Sequence, residues 1–392
     1  MELTLKQEEG LRLAIQRYSN FEHYTVIAGY AGTGKSTLVK FIIEALNVDE
    51  DRVCYAAYTG KAAEVLRKKG NKNVSTLHRL LYDHIPKPTG GFLRKRKLKI
   101  DYDVVVVDEI SMVPKDMAEL LFSHHCYIIC LGDPFQLPPI DKNSDNHLLD
   151  HPHIFLDEIM RQEADSEIIN LTMKIRHQEP IDFYEGKEVK ILKKADLNLG
   201  MLTWADQILV ATNATRHKIN KQMRTIYNRT GDLPVEGDKV ICCRNYWEDI
   251  SENGDALVNG TLGYLHNPYG SFIQLPSWCG SKVSQIDTVQ AEFISEDGAD
   301  YGCKNIDANM LLTGEPTLDW KIKYKLGKNV EYQHYVPKEF EYGYAITVHR
   351  AQGSEWDNVL VIEESFPFDK VEHARWLYTA ATRSSKKLVL VR

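Results

Sequence analysis

The stretch that decides the fold is Gly29-Tyr30-Ala31-Gly32-Thr33-Gly34-Lys35-Ser36. It has the GxxxxGK(S/T) spacing of a P-loop and lies between a predicted strand, Tyr24–Ala28, and a predicted helix, Ser36–Leu46. Backbone N–H groups at the start of such a helix favour an anion. We therefore predict that this loop binds the phosphates of ATP. The predicted nucleotide contacts are Gly29, Ala31, Gly32, Thr33, Gly34, Lys35, Ser36 and Thr37.

A second acidic element follows the apolar run Val104–Val107. Asp108 and Glu109 stand at the end of this predicted buried strand. We expect Asp108 and the Ser36 hydroxyl to hold Mg²⁺, and Glu109 to orient and deprotonate the attacking water. An acidic pair alone can also simply solvate a turn, but the upstream P-loop favours the catalytic interpretation.

The rest of the first half also alternates strand and helix patterns. Val53–Tyr58 and Tyr127–Leu131 are predicted strands, which indicates an α/β fold with helices on both faces of a parallel sheet. Residues 82–100 interrupt this pattern with proline, glycine and a basic run, which is typical of a hairpin excursion.

The second half resumes the alternation with Gln207–Ala211 as a strand and Arg216–Tyr227 as a helix. From about 235 to 338 it gives way to short β-like stretches separated by turn signals such as Asn259-Gly260 and Asn267-Pro268. A small inserted β barrel is the expected structure of this region.

Composition limits the class of protein and of partner. The chain has 392 residues, of which 43% are hydrophobic and 26% charged, so it can form two or three globular domains. No apolar run approaches membrane length and Met1–Thr4 lacks a signal-peptide pattern, so we expect a cytoplasmic protein without a membrane partner. The net charge of -7 means that any nucleic-acid contact must use a local groove. The 7 cysteines form no CxxC pair, which favours reduced thiols over a zinc site.

Three further segments carry a resemblance to a known family. They are Gly132-Asp133-Pro134-Phe135-Gln136-Leu137-Pro138-Pro139, Thr347-Val348-His349-Arg350-Ala351-Gln352-Gly353-Ser354-Glu355 and Tyr378-Thr379-Ala380-Ala381-Thr382-Arg383. In order and spacing they resemble the third, fifth and sixth motifs of superfamily 1 helicases, in the branch of Dda-like and RecD-type helicases. The resemblance extends over nearly the whole chain and implies a DNA helicase that moves 5′ to 3′ on a single strand.

The resemblance also implies a domain organisation. The expected fold is two RecA-like P-loop lobes with a pin-type hairpin in the first and an SH3-like β barrel in the second. The predicted boundaries are 1–160 for the first lobe with 79–102 as the pin insertion, 161–235 and 338–392 for the second lobe, and 236–337 for the β insertion.

Several catalytic roles depend on the same motifs. The Gln136 amide is expected to sense the γ-phosphate, although it could instead cap the following proline turn. Arg161 and Arg383 are candidate arginine fingers, which would neutralise charge that develops on the transferred phosphoryl group. Any lone arginine is otherwise more often part of a surface salt bridge. Gln7 resembles the family's adenine-reading residue but also fits a capping box with Thr4. Glu355 resembles a carboxylate near the ribose.

The strand-binding surface is predicted from polar residues that follow strands in both lobes. Hydroxyl groups and backbone amides at such places can hold phosphates without reading sequence. The predicted contacts are Thr59, Lys61, Thr76, His78, Phe92, Pro138, Thr212, Asn213, Thr347, His349 and Ser354. Two residues depart from the family pattern: Tyr58 stands where proline is common and Arg350 where lysine is common.

The hairpin excursion contains Phe92 and a basic run over 93–99. By the same resemblance it would be the pin that splits a duplex, with an aromatic ring to stack on a base and cations to meet phosphates. Such a basic run is also typical of a solvated loop. The expected partners are therefore single-stranded and forked duplex DNA, together with replication or recombination proteins.

Two other classes of function stay open at this point. Nothing in the quoted residues distinguishes DNA from RNA, so an RNA helicase of the same superfamily is an alternative. A small-molecule kinase or an ATP-gated binding module would share the P-loop. The paired arginines and the duplicated phosphate contacts count against this second alternative.

Overall fold

The computed structural model describes residues 3–86, 92–138, 144–160, 165–252, 254–329 and 331–392. The chain forms two compact units. Unit one comprises Met1–Tyr82, Arg96–Ala211 and Thr347–Arg392, and unit two comprises Asp83–Lys95 and Thr212–Ile346. The domain boundaries expected at 160, 235 and 337 stay predictions.

The first part of the chain alternates helices and strands. In chain order they are α1 (Leu5–Ser19), β1 (Tyr24–Gly29), α2 (Lys35–Leu46), β2 (Val53–Ala57), α3 (Gly60–Lys68), β3 (Val74–Thr76), α4 (Leu77–Leu81), β4 (Tyr82–Pro86), β5 (Phe92–Arg96), β6 (Val104–Val107), α5 (Lys115–Phe122), β7 (Tyr127–Gly132) and β8 (Ile154–Leu156). The strands and helices predicted here from the sequence are confirmed, with ends that differ by one residue or a few.

The second part contains longer strands and shorter helices. They are α6 (Glu167–Arg176), β9 (Tyr184–Glu185), β10 (Val189–Leu192), α7 (Leu199–Trp204), β11 (Gln207–Val210), α8 (Asn213–Ile226), β12 (Lys239–Cys242), β13 (Tyr246–Ile250), β14 (Ala256–Leu257), β15 (Leu262–Gln274), β16 (Gln285–Ser295), β17 (Asp300–Asp307), α9 (Ala308–Thr313), α10 (Trp320–Gly327), β18 (Phe340–Tyr342), β19 (Ala345–Thr347), α11 (Val348–Ala351), β20 (Trp356–Ile362), α12 (Lys370–Ala381) and β21 (Ser384–Val391).

The first sheet of unit one is six-stranded, in the order β3-β2-β6-β7-β1-β8, and its paired strands are parallel. Because β7 alone separates β1 from β6, the P-loop and the acidic pair follow strands whose carboxyl ends lie on the same edge. Ligands of open α/β sheets bind at this edge.

The four valines of β6 show why both faces of this sheet are covered. Val104 and Val106 pack into one buried cluster with residues of α1 and α2, whereas Val105 and Val107 pack into another with residues of α4 and α5. Successive side chains of a strand point to opposite faces, so a continuous apolar run requires helices on both. The predicted α/β architecture is therefore confirmed.

Five strands of the six-stranded second sheet belong wholly to unit one, in the order β11-β20-β21-β10-β9. The first four are parallel, and the edge strand β9 is antiparallel to β10. Helix α12 packs against α6. Thr382 and Arg383 connect the end of α12 to the start of β21. This turn brings the sixth-motif arginine to the end of a buried helix.

Unit two is built on a five-stranded antiparallel sheet, in the order β17-β16-β15-β12-β18. Its strands are longer than predicted, since β15 has 13 residues and β16 has 11. The predicted turn at Asn267-Pro268 is wrong: Asn267 has a φ of 51° and lies at a register shift inside β15, so the dipeptide forms a bulge and the strand continues. Closure of this sheet into a barrel stays a prediction.

Among the described residues, no helix has the length and apolar character needed to span a membrane. All seven cysteines are free thiols, and Cys303 is the exposed one. Burial raises the pKa of the Cys54 thiol to about 12 and that of Cys126 to about 11. These two thiols are therefore packing residues with little thiolate character.

Candidate active site

The P-loop joins the end of β1 to the start of α2. Gly32 and Gly34 have φ values of 75° and 74°, a left-handed backbone that favours glycine. A side chain at Gly34 would also overlap those of Gln7 and Met160. The Lys35 ammonium donates to the carbonyl oxygens of Gly29 at 2.8 Å and Tyr30 at 3.0 Å, so it lies inside the curve of the loop.

The donor set at the end of β6 fits a magnesium nucleotide. Asp108 is half-buried and its Oδ1 accepts from the Glu109 N–H at 2.9 Å, which leaves Oδ2 for a ligand. The Ser36 hydroxyl, in the first turn of α2, is exposed. A carboxylate and a hydroxyl are the hard oxygen ligands that Mg²⁺ uses beside substrate phosphates. These two side chains would hold the ion.

Glu109 follows Asp108 in a left-handed conformation, with φ at 51°. Such strain in a non-glycine residue concentrates at functional sites. Burial raises the pKa of the Glu109 carboxyl, the Arg383 guanidinium opposes this, and the Asp108 carboxylate adds to it. A carboxyl with a raised pKa is suited to accept a proton from water near neutral pH.

Gln136 connects Glu109 with Arg383. With its amide oriented to satisfy both neighbours, Nε2 donates to Glu109 Oε2 at 3.2 Å and Oε1 accepts from Arg383 Nη2 at 3.2 Å. Arg383 Nη1 lies 3.9 Å from Glu109 Oε1. The candidate base, sensor and finger therefore form one cluster, in which Gln136 and Arg383 are buried and Glu109 is half-buried.

The Arg383 guanidinium is held in place by backbone carbonyls of α12 and of the segment that precedes β20. Nε donates to the Thr379 carbonyl at 3.1 Å, and Nη1 donates to the Ser354 carbonyl at 3.2 Å. Only 5% of the residue is exposed. These contacts fix the direction of the guanidinium toward Glu109 before any ligand binds.

Tyr378 and Asp133 are functional candidates that the sequence interpretation missed. The Tyr378 hydroxyl accepts from the Ala31 N–H at 2.9 Å and donates to Asp133 Oδ2 at 2.5 Å. Burial raises the pKa of the Tyr378 hydroxyl, so at neutral pH it keeps the proton that it donates to Asp133. This hydroxyl connects the P-loop backbone to the third motif. Both residues lie in quoted motifs, but nothing in the sequence indicates that they contact each other.

Two more contacts join the third motif to the second sheet. The Thr379 hydroxyl accepts from the Leu137 N–H at 3.0 Å, and Gln352 Nε2 donates to the Leu137 carbonyl at 2.7 Å. Both polar groups of the Leu137 backbone are thus satisfied by side chains from the fifth and sixth motifs. These residues were also missed as site residues.

Arg176, at the end of α6, was not predicted to belong to the site. Its guanidinium carbon lies 3.6 Å from the centroid of the Tyr30 ring, in the P-loop. Phe155 packs edge-on against the same ring, at 5.3 Å between centroids. A cation over an aromatic face stabilises the pair by about 0.5–2 kcal/mol.

Gln7 has the structural role that the capping box predicts. The Gln7 N–H donates to Thr4 Oγ1 at 3.3 Å, and the Thr4 N–H donates to Gln7 Oε1 at 3.0 Å. Gln7 Nε2 also donates to the Thr33 carbonyl at 3.2 Å, and the residue is 1% exposed. Adenine recognition by Gln7 stays a prediction.

The four threonines predicted to contact a nucleic-acid strand all lie at helix starts. Thr59, Thr76, Thr212 and Thr347 are the N-caps of α3, α4, α8 and α11. In the first three, the hydroxyl accepts from an N–H of its own helix at 3.1 to 3.3 Å. These hydroxyls stabilise helix starts. Their contact with phosphates stays a prediction.

Other predicted strand contacts have mixed environments. Lys61 forms an ion pair with Glu64 at 3.0 Å, and His78 is buried between the rings of Tyr58 and Tyr82. Burial lowers the pKa of His349, so this ring is neutral near pH 7. The remaining described residues are half-buried Pro138, exposed Asn213 and buried Ser354. Glu355 is exposed.

Gly353, in the fifth motif, lies against the start of α3. It has a φ of 73°, and a side chain there would lie 3.0 Å from Ala62 Cβ and 3.3 Å from Thr59 Oγ1. The start of α3 thus packs closely on the fifth motif. Two of the predicted sites, Arg161 and the side chain of Phe92, lie outside the described residues.

The fold and site together define a P-loop protein of the α/β class, with segments next to two largely parallel sheets meeting at one candidate nucleotide site. A profile of the AAA domain matches residues 5–196, and one of the UvrD-like helicase C-terminal domain matches residues 342–391. The ATP-dependent RecD2 DNA helicase of Deinococcus radiodurans is 26% identical over 92% of this chain, which spans 45% of that relative. The ATP-dependent DNA helicase Dda of phage T4 is 33% identical over 36% of this chain and 34% of its own length.

A solved structure of Pif1 helicases at forked double-stranded DNA has a similar fold. Its TM-score is 0.56, at 19% identity, over 100% of this chain and 92% of that one. RecD2, Dda and Pif1 helicases are among the homologues of this chain. This confirms the resemblance and the RecA-like fold.

Proposed function

We propose that the chain is an ATP-dependent DNA helicase that translocates 5′ to 3′ along single-stranded DNA and unwinds a forked duplex. RecD2 and Dda are named ATP-dependent DNA helicases, but this chain spans less than half of each. The 5′ to 3′ direction of movement is inferred from the resemblance to Dda-like and RecD-type helicases. The cluster of Glu109, Gln136 and Arg383 carries the proposal, because it connects hydrolysis at the P-loop to the second sheet.

ATP hydrolysis needs a base, a cation and charge neutralisation at one place. Lys35 would exchange its two carbonyl partners for phosphate oxygens, and Glu109 would take a proton from the attacking water. Mg²⁺, held by Ser36 and Asp108, would neutralise charge on the phosphates. Arg383 would neutralise the charge that develops in the transition state, with Gln136 holding it beside the base.

Translocation along DNA requires that ATP binding and hydrolysis shift elements of the second sheet. Arg383, Thr379 and Tyr378 lie on or after α12, and each reaches the nucleotide-binding segments through a polar side-chain group. A γ-phosphate would compete with Glu109 and Gln136 for the guanidinium. Binding and hydrolysis would then shift α12, which is covalently continuous with β21.

The strand contacts are proposed to lie at helix starts. Backbone N–H groups in the first turns of α3 and α4 can bind phosphates of a strand. The fifth motif, which packs on α3 at Gly353, would supply the other contact through Thr347 and His349. A change in α12 would alter the spacing of these contacts.

Residues 79–102 are proposed to act as the pin that separates the strands, with Phe92 stacking on a base. The antiparallel sheet of unit two is proposed to be the SH3-like insertion. Replication or recombination proteins are proposed partners, in keeping with a forked DNA substrate.

A strand-displacement assay on partial duplexes with a single overhang tests this proposal. DNA duplexes with either a 5′ or a 3′ overhang, and matched RNA duplexes, are incubated with ATP and Mg²⁺. We expect displacement of the 5′-overhang DNA alone, together with ATPase stimulation by single-stranded DNA. The Lys35→Ala variant serves as control and should show neither activity. Displacement of only the 3′-overhang substrate would disprove the direction, and displacement of RNA alone would disprove the choice of DNA.

A further inference from the structure

Helix α10 in unit two presents two large aromatic rings to solvent. Trp320 is 69% exposed and Tyr324 58% exposed. They are four residues apart, so their side chains lie on one side of the helix. Ile322 and Leu326 lie on the opposite side and are buried in a cluster with residues of β15 and β16. The helix is therefore anchored by its apolar side, with an aromatic outer face.

Exposed lysines accompany these rings. Lys321 Nζ lies 5.9 Å from the centroid of the Trp320 ring, and Lys328 Nζ lies 4.2 Å from that of Tyr324. Lys325 is also exposed, and Trp320–Gly327 contains no acidic residue. The outer face of α10 is thus both aromatic and cationic, in a chain whose net charge is -7.

The segment before β16 extends this face. Lys325 Nζ donates to the Cys279 carbonyl at 3.3 Å, which connects α10 to the turn that carries Trp278. The Trp278 ring is 48% exposed and packs edge-on against Tyr332, with 5.2 Å between centroids. We name as the α10 surface the residues Trp278, Trp320, Lys321, Tyr324, Lys325 and Lys328.

The combination of residue types favours one kind of partner. Protein–protein interfaces are enriched in aromatic residues but depleted in lysine. Single-stranded nucleic acid offers unpaired bases that stack on aromatic rings and phosphates that attract ammonium groups. Large exposed aromatic rings are otherwise unfavourable on a monomer surface when they are clustered.

We propose that the α10 surface binds single-stranded DNA, with bases stacked on Trp320 and Tyr324 and phosphates beside Lys321 and Lys328. The proposal rests on the proposed function, because it assumes a DNA substrate. It adds a DNA-contact site in unit two that contains none of the strand-binding residues predicted from the sequence. Binding there would hold the strand independently of the nucleotide state, since none of these residues belongs to the P-loop or to the fifth and sixth motifs.

The double variant Trp320→Ala/Tyr324→Ala tests the proposal. Affinity for a fluorescein-labelled 20-nucleotide oligo-dT is measured by anisotropy without nucleotide, and we expect binding about tenfold weaker or more. ATPase activity without DNA should be unchanged. The matched control is Tyr269→Ala/Phe272→Ala, which removes two exposed aromatic rings from β15 of the same unit. This control should keep the affinity of the unaltered protein.

Two further readouts separate binding from folding. Lys321→Gln/Lys328→Gln should reduce the slope of log affinity against log salt by about 0.7 for each lost phosphate contact. Trp320 fluorescence should be quenched by oligo-dT, and Trp320→Phe should lose that part of the signal. Unchanged affinity of the aromatic double variant, or an equal loss in its control, would overturn the proposal.

The proposed function can fail separately from this inference. ATPase stimulation by oligo-dT in the unaltered protein tests the proposed function alone. If stimulation is absent while the aromatic double variant still loses affinity, the α10 surface is a DNA-binding site and the motor function is wrong. If stimulation is present and the double variant binds normally, the motor function stands and the α10 surface is not a DNA site.

Discussion

The two sheets of unit one contribute to the nucleotide site in different ways. Lys35 and Asp108, from the first sheet, bond mainly within their own segments. Tyr378 and Arg383, from the second, place their polar groups against Ala31, Asp133, Gln136 and Glu109. Under the proposed function, the first set of residues would bind phosphate, whereas the second set would respond to its presence. Substitutions of residues next to the first sheet and of residues next to the second should therefore impair different steps of ATP hydrolysis.

The largest effect is expected for Arg383→Ala. ATP should still bind, because the P-loop and Asp108 are intact, but kcat should fall by about 10³-fold or more, the effect expected of an arginine finger. Steady-state ATPase assays give kcat, and titration with a fluorescent ATP analogue gives affinity. The control Arg12→Ala removes an exposed guanidinium from α1 and should change neither. An unchanged kcat in Arg383→Ala would remove the distinction between the two sheets.

Glu109→Gln should lower kcat by about 10²-fold or more, since the amide cannot take a proton. The same change should stabilise the fold at neutral pH. Burial raises the pKa of Glu109 in the folded protein, so the folded state binds its proton more tightly than the unfolded state does. Ionisation therefore costs stability as pH rises above the unfolded pKa of about 4.3.

The sign of this stability effect can be measured directly. Thermal unfolding at pH 7 should show a higher Tm for Glu109→Gln than for the unaltered protein, and the difference should disappear as pH falls toward 4. The control Glu119→Gln changes an exposed carboxylate on α5 and should leave Tm and kcat unchanged. A lower Tm for Glu109→Gln at pH 7 would mean that its contacts with Gln136 and Arg383 outweigh the cost of burial.

Tyr378→Phe should have a smaller effect, about tenfold on kcat/KM, because it removes one hydroxyl that makes two hydrogen bonds. Most of the change should fall on KM, since the lost contact orders the Ala31 backbone in the P-loop. Tyr184→Phe, on the exposed edge strand β9, is the control. A loss confined to kcat would instead assign the hydroxyl to the transition state.

The sequence predicts the nucleotide-site residues next to the first sheet better than those next to the second. A P-loop is contiguous, so its spacing alone identifies Lys35 and Ser36. The Glu109–Gln136–Arg383 cluster could be anticipated only as separate motifs, because contacts between distant segments have no local signal. The Tyr378–Asp133 bond and the Arg176–Tyr30 pair were missed for the same reason. Asn267-Pro268 was misread because bulges and turns share positive φ and the same residue types.

Gln7→Ala should have the smallest effect on catalysis. Loss of the bonds to the Thr4 N–H and the Thr33 carbonyl should reduce the free energy of unfolding by about 1–2 kcal/mol. Thr4→Ala, which removes the cap without touching the P-loop, should cost about 1 kcal/mol. Urea unfolding measures both.

The nucleotide preference of Gln7→Ala decides between its two interpretations. The buried Gln7 amide holds the P-loop in place through its hydrogen bond to Thr33. If this is its main role, KM should rise by a similar factor for ATP and for GTP. A factor of about two to five corresponds to the loss of up to about 1 kcal/mol of binding free energy, as expected for one neutral hydrogen bond. A rise in KM for ATP alone would show that the amide turns to read adenine when the nucleotide binds. In that case Gln7, like Lys35, would be a residue on the first-sheet side that changes hydrogen-bond partners when the nucleotide binds.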